Sequence, residues 1–247
     1  MASAPTTRAD APSFRTLDPQ QIIGTAERLS LRIGERFPHS GLSRVAKDFV
    51  ILASDLSRAA EALRAPIWPV RVLIGLSILL GAAVFLFIGT VFSLDRFQTD
   101  EAFDFVQGIE ATLNTLILGG LGFLTLITME ERIKRKRVFK ALHGLRSLIH
   151  VVDMHQLTKD PAVLSPDFKP TAHSPARITD PADLSRYLDY CSEMLSITGK
   201  LAALFAQSVN DAVVVDAVND IETLGSNLSR KIWQKITLID ERVKRRG

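Results

Sequence analysis

Three histidines in one helical segment, a lone cysteine beside two tyrosines, and a glycine-rich run are the residues of this chain whose types could do chemistry. His143 and His150 are seven residues apart, on one side of a helix. That spacing separates them by about 10.5 Å along the axis, too far to share a metal ion without a ligand between them. The zinc-binding helical spacing of four, as in H-E-x-x-H, is absent. Both rings project away from the apolar stripe of 145–152, so a solvated or interface face is expected. His155 lies closer to that stripe and, beside Asp153, is expected to form a polar pair that ends the helix. A pH-sensing role is the alternative.

Cys191 is the only cysteine, which rules out an intramolecular disulfide and suits a cytoplasmic placement. Nucleophilic chemistry there would need a base and an orienting group. Periodicity instead buries Cys191 as a small hydrophobe. Tyr187 and Tyr190 lie beside it with Arg186, Asp189 and Glu193, which reads first as a hydrogen-bonded helix surface. The functional alternative is a partner-docking patch of His150, His155, Arg186, Tyr187 and Tyr190, because tyrosine and arginine are enriched at such sites. The Gly119-Gly120-Leu121-Gly122 run falls in an apolar stretch and cradles no phosphate. No P-loop, Rossmann glycine pattern, nucleophile elbow or EF-hand loop is present. The residues therefore predict no catalytic site, no bound metal and no cofactor.

The elements that must position these residues begin with two uncharged stretches, 72–94 and 111–129. Each is about as long as the roughly 20 apolar residues needed to span hydrocarbon. Both are apolar nearly all round, whereas a buried core helix normally keeps a polar face. About 70 mostly polar residues precede the first stretch, which argues against a signal peptide. Arg58, Arg64 and Arg71 stand before the first stretch, and Arg132, Lys134, Arg135, Lys136, Arg137 and Lys140 follow the second. The connector 95–110 holds Asp95, Asp100, Glu101, Asp104 and Glu110 against Arg96 alone. Cytoplasmic retention of Lys and Arg then predicts a two-span hairpin (70–130) with both termini cytoplasmic. The net charge of +3 and pI of about 9.1 hide this segregation. They are accordingly no argument for nucleic acid, and anionic lipid headgroups are the expected partner of Arg132, Lys134, Arg135, Lys136 and Arg137. Gly81, Ala82 and Ala83 in the first span and Gly119, Gly120 and Gly122 in the second predict a close helix contact at mid-depth, either within the hairpin or between subunits of an oligomer. The spans carry no ionisable group. Asn114, Thr115, Thr125 and Thr128 read as structural rather than pore-lining.

Outside the spans, residues 1–17 predict a disordered N-terminus. Residues 18–65 predict a helical hairpin. Its first helix carries Ile22, Ala26, Leu29 and Ile33 on one stripe, and Pro38-His39-Ser40-Gly41 ends it. Its second shows a heptad seam of Leu42, Val45, Phe49, Leu52, Leu56, Ala59 and Leu63, which serves a coiled coil or a cis hairpin. After the second span, Val138, Ala141, Leu145, Leu148 and Val152 continue a helix. Prolines 161, 166, 170, 175 and 181 then make 157–182 an extended or mobile crossover that could wrap a surface. Asp180-Pro181-Ala182-Asp183 reads as a cap, a first-turn proline and an acidic first turn. That helix buries Leu184, Leu188, Cys191, Leu195, Thr198, Leu201 and Phe205. The last helix buries Val214, Val218, Ile221, Leu228, Ile232, Ile236, Ile239 and Val243. The predicted fold is all-α: a two-span transmembrane hairpin, an N-terminal helical hairpin, and a C-terminal cytoplasmic helical bundle over 131–247.

The stretch Arg146-Ser147-Leu148-Ile149-His150-Val151-Val152-Asp153-Met154-His155-Gln156-Leu157-Thr158-Lys159-Asp160-Pro161, followed by Leu184-Ser185-Arg186-Tyr187-Leu188-Asp189-Tyr190-Cys191-Ser192-Glu193-Met194-Leu195, resembles a family of uncharacterised bacterial two-span membrane proteins with a helical cytoplasmic C-terminal domain. The resemblance covers roughly 146–236. It implies a bacterial inner membrane and carries over no catalytic residues. The first expectation is a membrane-anchored interaction, scaffold or regulatory module that self-associates or binds a partner at the cytoplasmic face. The alternative is a small homo-oligomeric channel lined by the second span. An enzyme built on the segment 150–159 with Tyr187 or Cys191 ranks last.

Overall fold

A computed structural model describes residues 16–91, 102–175 and 177–245, and among them it is helical throughout, without strands. The helices are α1 (Pro19–Arg36), α2 (Gly41–Arg64), α3 (Trp68–Val91), α4 (Ala102–Leu157), α5 (Pro181–Ser208) and α6 (Ala212–Lys244), with a 3₁₀ turn at Pro161–Leu164. Residues 1–15 of the expected disordered N-terminus, and 92–101 of the span-and-connector region, lie outside the described residues. Leu17, the last residue of that expected segment, bonds to Gln207 of α5. Its N–H donates to Gln207 Oε1 at 2.8 Å, and Gln207 Nε2 donates back to its carbonyl at 3.3 Å.

Two compact units emerge, one formed by 1–64 with 137–247, the other by 65–136. In the first unit, short polar side chains set the helix starts. Asp18, Asp180 and Asp211 each accept from a backbone N–H of the turn that follows, and a proline stands in the first turn of α1 and α5. The expected stripe of α1, Ile22, Ala26, Leu29 and Ile33, is buried as a whole. N-terminal and C-terminal helices share one continuous core, in which Phe49, Leu145, Leu188 and Ile232 belong to the same cluster. Helices α1 and α2 are therefore part of the same packed body as the C-terminal helices.

The seam of α2 differs from the expected one. Leu42, Phe49, Leu56 and Leu63 are buried, but the alternating places belong to Ala46, Ala53 and Ala60. Val45 and Leu52 are half-buried at its flank and Ala59 is exposed. Both sets keep heptad spacing. Alanines win the centre because α2 packs against both α1 and α5, and small side chains let the backbones come close. Helix α5 is buried nearly all round, adding Tyr187, Tyr190, Met194, Ile197 and Leu204 to its expected stripe. Val243, expected on the buried face of α6, is 46% exposed. It lines an open groove shared with Ile236 and Ile239, beside Pro181, Ala182 and Ser185 of α5. The start of the crossover, expected to be extended or mobile and able to wrap a surface, lies against the helices. Leu164 is buried, and the Arg242 guanidinium donates to the Pro161 carbonyl.

Two helices are long and apolar enough to cross a membrane by length and composition, and almost none of that apolar surface is buried. In the second unit, the Glu130 carboxylate accepts from the Ile67 N–H at 3.3 Å and from Arg71 Nε at 3.4 Å, and pairs with Lys134 at 3.0 Å. Within the single chain, the small residues of the two apolar stretches stand in open space among the described residues. A Cβ added at Gly81, Gly119, Gly120 or Gly122 would meet nothing within 4 Å, and Ala82 and Ala83 are exposed. Small side chains permit close approach without compelling it.

Phe49 and Ser57 test the packing of α2. Phe49 is 1% exposed, so Phe49→Ala should cost about 3–5 kcal/mol. The Ser57 hydroxyl is buried with no hydrogen-bond partner, so Ser57→Ala should be neutral or stabilise by up to about 1 kcal/mol. Thermal midpoints of the detergent-solubilised chain measure both.

Candidate functional site

The chemistry-bearing residues of the first unit meet where α4 ends, the crossover begins, and α5 and α6 pass beside them. Gln156 is the pivot. Its side chain, only 3% exposed, donates to Asp153 Oδ1 at 2.6 Å and accepts from Lys235 Nζ at 2.6 Å. Lys235 also donates to the Gln156 main-chain carbonyl at 2.9 Å. A cation on α6 thereby caps the negative end of α4. Burial lowers the Lys235 pKa, while Asp160, Asp153 and Cys191 pull it back up. Asp160 accepts from the Ala162 N–H at 2.9 Å and starts the 3₁₀ turn.

Lys159 stands one turn past α4 with its ammonium 4.8 Å from the centre of the Tyr187 ring. Burial is the main cause that lowers its pKa; Cys191 raises it and Arg177 lowers it further. Arg177, from the far end of the crossover, lies over the Phe168 ring at 5.3 Å. Its Nε and Nη1 are buried and find no hydrogen-bond acceptor among the described residues. Sequence reasoning missed Arg177 because nothing in a proline-punctuated loop indicates which side chain folds inward.

The expected docking patch does not form a common surface. His150 and Arg186 are exposed, and Arg186 pairs with Asp189 at 2.8 Å. Tyr187 and Tyr190, by contrast, are only 3% and 5% exposed. Both stack edge-on against Phe37 at the end of α1, with ring centres 5.3 and 6.3 Å away. Arg32 covers the Tyr190 ring and pairs with Glu193, and Arg36 pairs with Asp183 at 2.9 Å. These tyrosines therefore join α1 to α5 and are unavailable to a partner. The physical reason is the shape of α5, whose neighbours cover both sides of the helix.

His155 is half-buried and closes over Gly41, the first residue of α2. A Cβ at position 41 would overlap the imidazole, so this glycine is required by close approach rather than by backbone conformation. No carboxylate sets the His155 pKa. Burial lowers it first, followed by the charges of Lys159 and Arg44. His143 is exposed, as is His150. Among the described residues, no three His, Cys, Asp or Glu side chains gather as a metal-binding group. Cys191 is fully buried, and burial pushes its thiol up to about 12 against the pull of Lys159 and Lys235.

In the basic cluster after the second apolar stretch, Arg132, Lys136 and Arg137 are exposed. Lys134 is instead half-buried and paired with Glu130, and half-buried Arg135 is also engaged. The hydroxyls of Thr125 and Thr128 donate to the carbonyls of Leu121 and Leu124, at 2.8 and 3.2 Å. No protein-family model matches the chain, and neither a curated protein nor a solved structure shows significant similarity to it.

Three measurements check this geometry. Gly41→Ala should lower the melting midpoint sharply, and the loss should shrink in a His155→Ala background, giving a coupling of about 1 kcal/mol or more between contacting residues. Because folding lowers the His155 pKa, its contribution to stability is complete above pH 6.5 and declines as pH falls through the folded value. His155→Gln should flatten that part of the stability–pH curve. Cys191 in the folded chain at pH 8 should resist iodoacetamide over hours and react within minutes after denaturation, as mass spectrometry would record.

Proposed function

We propose that this chain is a membrane-anchored helical interaction module, scaffolding or regulating a partner or a second copy of itself at the cytoplasmic face. One observation carries the reading. Among the described residues, the uncharged stretches expose nearly all their large apolar side chains, with Leu80 at 68% and Leu118 at 70%, while the first unit encloses a continuous core. Contiguous apolar surface on that scale is not tolerated in water and is what a lipid environment accepts. In this reading α3 and the 111–129 part of α4 cross the bilayer as a hairpin. The ties from Ile67 and Arg71 to Glu130 support the antiparallel arrangement. Arg132, Lys136 and Arg137 meet anionic headgroups, and both termini are cytoplasmic, in keeping with the charge segregation and with a bacterial inner membrane.

The first unit then supplies the interaction. Its exposed apolar side chains on α6, Trp233, Leu238 and Val243, are candidates for contact with a partner or a second copy. Hydroxyls of Thr125 and Thr128 turned onto their own helix backbone weigh against a water-filled pore.

Topology and partnership can be tested together in bacterial spheroplasts. A T99C variant should react with a membrane-impermeant maleimide from outside, and an S226C variant only after permeabilisation. Cross-linking followed by gentle extraction should yield a discrete oligomer or a defined partner. Release of the chain by alkaline carbonate would overturn the anchor, and an uncross-linked monomer would overturn the interaction.

A further inference from the structure

We infer that the outward face of α4 and the first half of α6 form a two-fold dimer surface, in which Lys140 and Arg146 of one copy face Asp216 and Asp220 of a second. This deepens the self-association reading above and rests on it. The starting point is charge of opposite sign gathered on different helices. Between Glu131 and Asp153, α4 carries no carboxylate, and from Asp211 to Ser229 the chain carries no Lys, Arg or His. Lys140, His143 and Arg146 are exposed on α4, as are Asp216 and Asp220 on α6. Among the described residues, none of these five side chains has a partner. Exposed charges elsewhere on the same unit do pair, Arg32 with Glu193, Arg36 with Asp183 and Arg186 with Asp189.

The two faces also lie at one height. Lys235 donates to Gln156, and farther along both strands of chain Arg242 donates to the Pro161 carbonyl, so α4 and α6 run in the same direction. Lys140 stands sixteen residues before Gln156, and Asp220 fifteen before Lys235. At about 1.5 Å per residue they share a level. A two-fold axis parallel to these helices keeps every residue at its own height and makes each contact twice. It sets the α4 face of each copy against the α6 face of the other. It also keeps the two α4 helices parallel, as copies sharing one bilayer must be. Each face adds a large exposed apolar side chain, Phe139 on α4 and Val213 on α6. Phe139, His143 and Arg146 share one side of α4, and Val213, Asp216 and Asp220 one side of α6. An anionic bilayer would satisfy the bases alone, whereas a second copy satisfies both signs. Charges so placed fix the partner and the register more than the raw affinity.

The test uses the full chain in phosphatidylcholine liposomes, labelled through S226C with a donor or an acceptor dye, the native Cys191 being buried. Energy transfer followed as the chain is diluted in lipid reports the dimer. K140E/R146E and D216K/D220K should each weaken dimerisation about tenfold or more, because like charges then face each other at both contacts. Mixed together, the two variants should recover the energy transfer of the parent, since each reversed face meets a complementary one. Circular dichroism of each variant confirms that it is folded. If both variants dimerise as the parent does, or if their mixture does not recover, the surface is wrong while self-association stands. Weakening by K140E/R146E alone would assign the α4 face to another acidic ligand and overturn the proposal. A parent that stays monomeric overturns the dimer itself and the self-association reading with it.

Discussion

The enclosure of α5 is the constraint on which the rest of the first unit depends. A helix that is apolar on most of its circumference has no stable place at a surface, so it must be covered from several directions at once. Helix α6 covers it along its length, and α1 and α2 cover it from other sides. Each cover then acquires its own demands. Alanines line the centre of α2 because it touches two neighbours. Arginines 32 and 36 of α1 reach across to Glu193 and Asp183 of α5, and such exposed pairs add orientation more than stability. Tyr187 and Tyr190 are buried because α5 is enclosed, although their polar neighbours in sequence suggest a surface.

A second consequence of that enclosure is electrostatic. Where α4 ends beside α5, the carbonyls of its last turn need donors, and Lys235 of α6 supplies them through Gln156. The same crowded corner holds Lys159 and Arg177 against aromatic faces. Burial there opposes charge, and the counter-charge present is divided unequally. Asp153 and Asp160 offset that effect at Lys235, whereas at Lys159 burial dominates. Residues brought together from the end of one helix and the far side of a proline-rich loop thus acquire properties that neither segment has alone.

Much of this was legible in sequence where a signal is local. Asp180-Pro181 marks the start of α5 because capping and a fixed proline φ act within one turn. The stripe of α1 is complete because that helix buries a single face. Cys191 is correctly buried by its period. The failures follow from non-local packing. Periodicity finds the stripe facing one neighbour, so it missed Met194 and Leu204 on a helix with several. It chose Val45 and Leu52 over Ala46 and Ala53 because hydrophobicity ranks the larger side chains higher, whereas close helix approach selects the smaller. Arg177 carried no signal at all, since only the folded path of the crossover turns it inward over the Phe168 ring.

A core shared by 1–64 and 137–247 also governs the order in which the chain can mature. Helices α1 and α2 leave the ribosome first, with the apolar stripe meant for α5 still uncovered. At typical synthesis rates, the stretch separating Arg64 from Pro181 takes on the order of ten seconds to appear. During that interval the early helices can pair only with each other or with a chaperone. Closure of the core must wait for late contacts between residues far apart in sequence, a slow step by its topology. The nascent chain thus keeps its first two helices unfinished until its last two arrive.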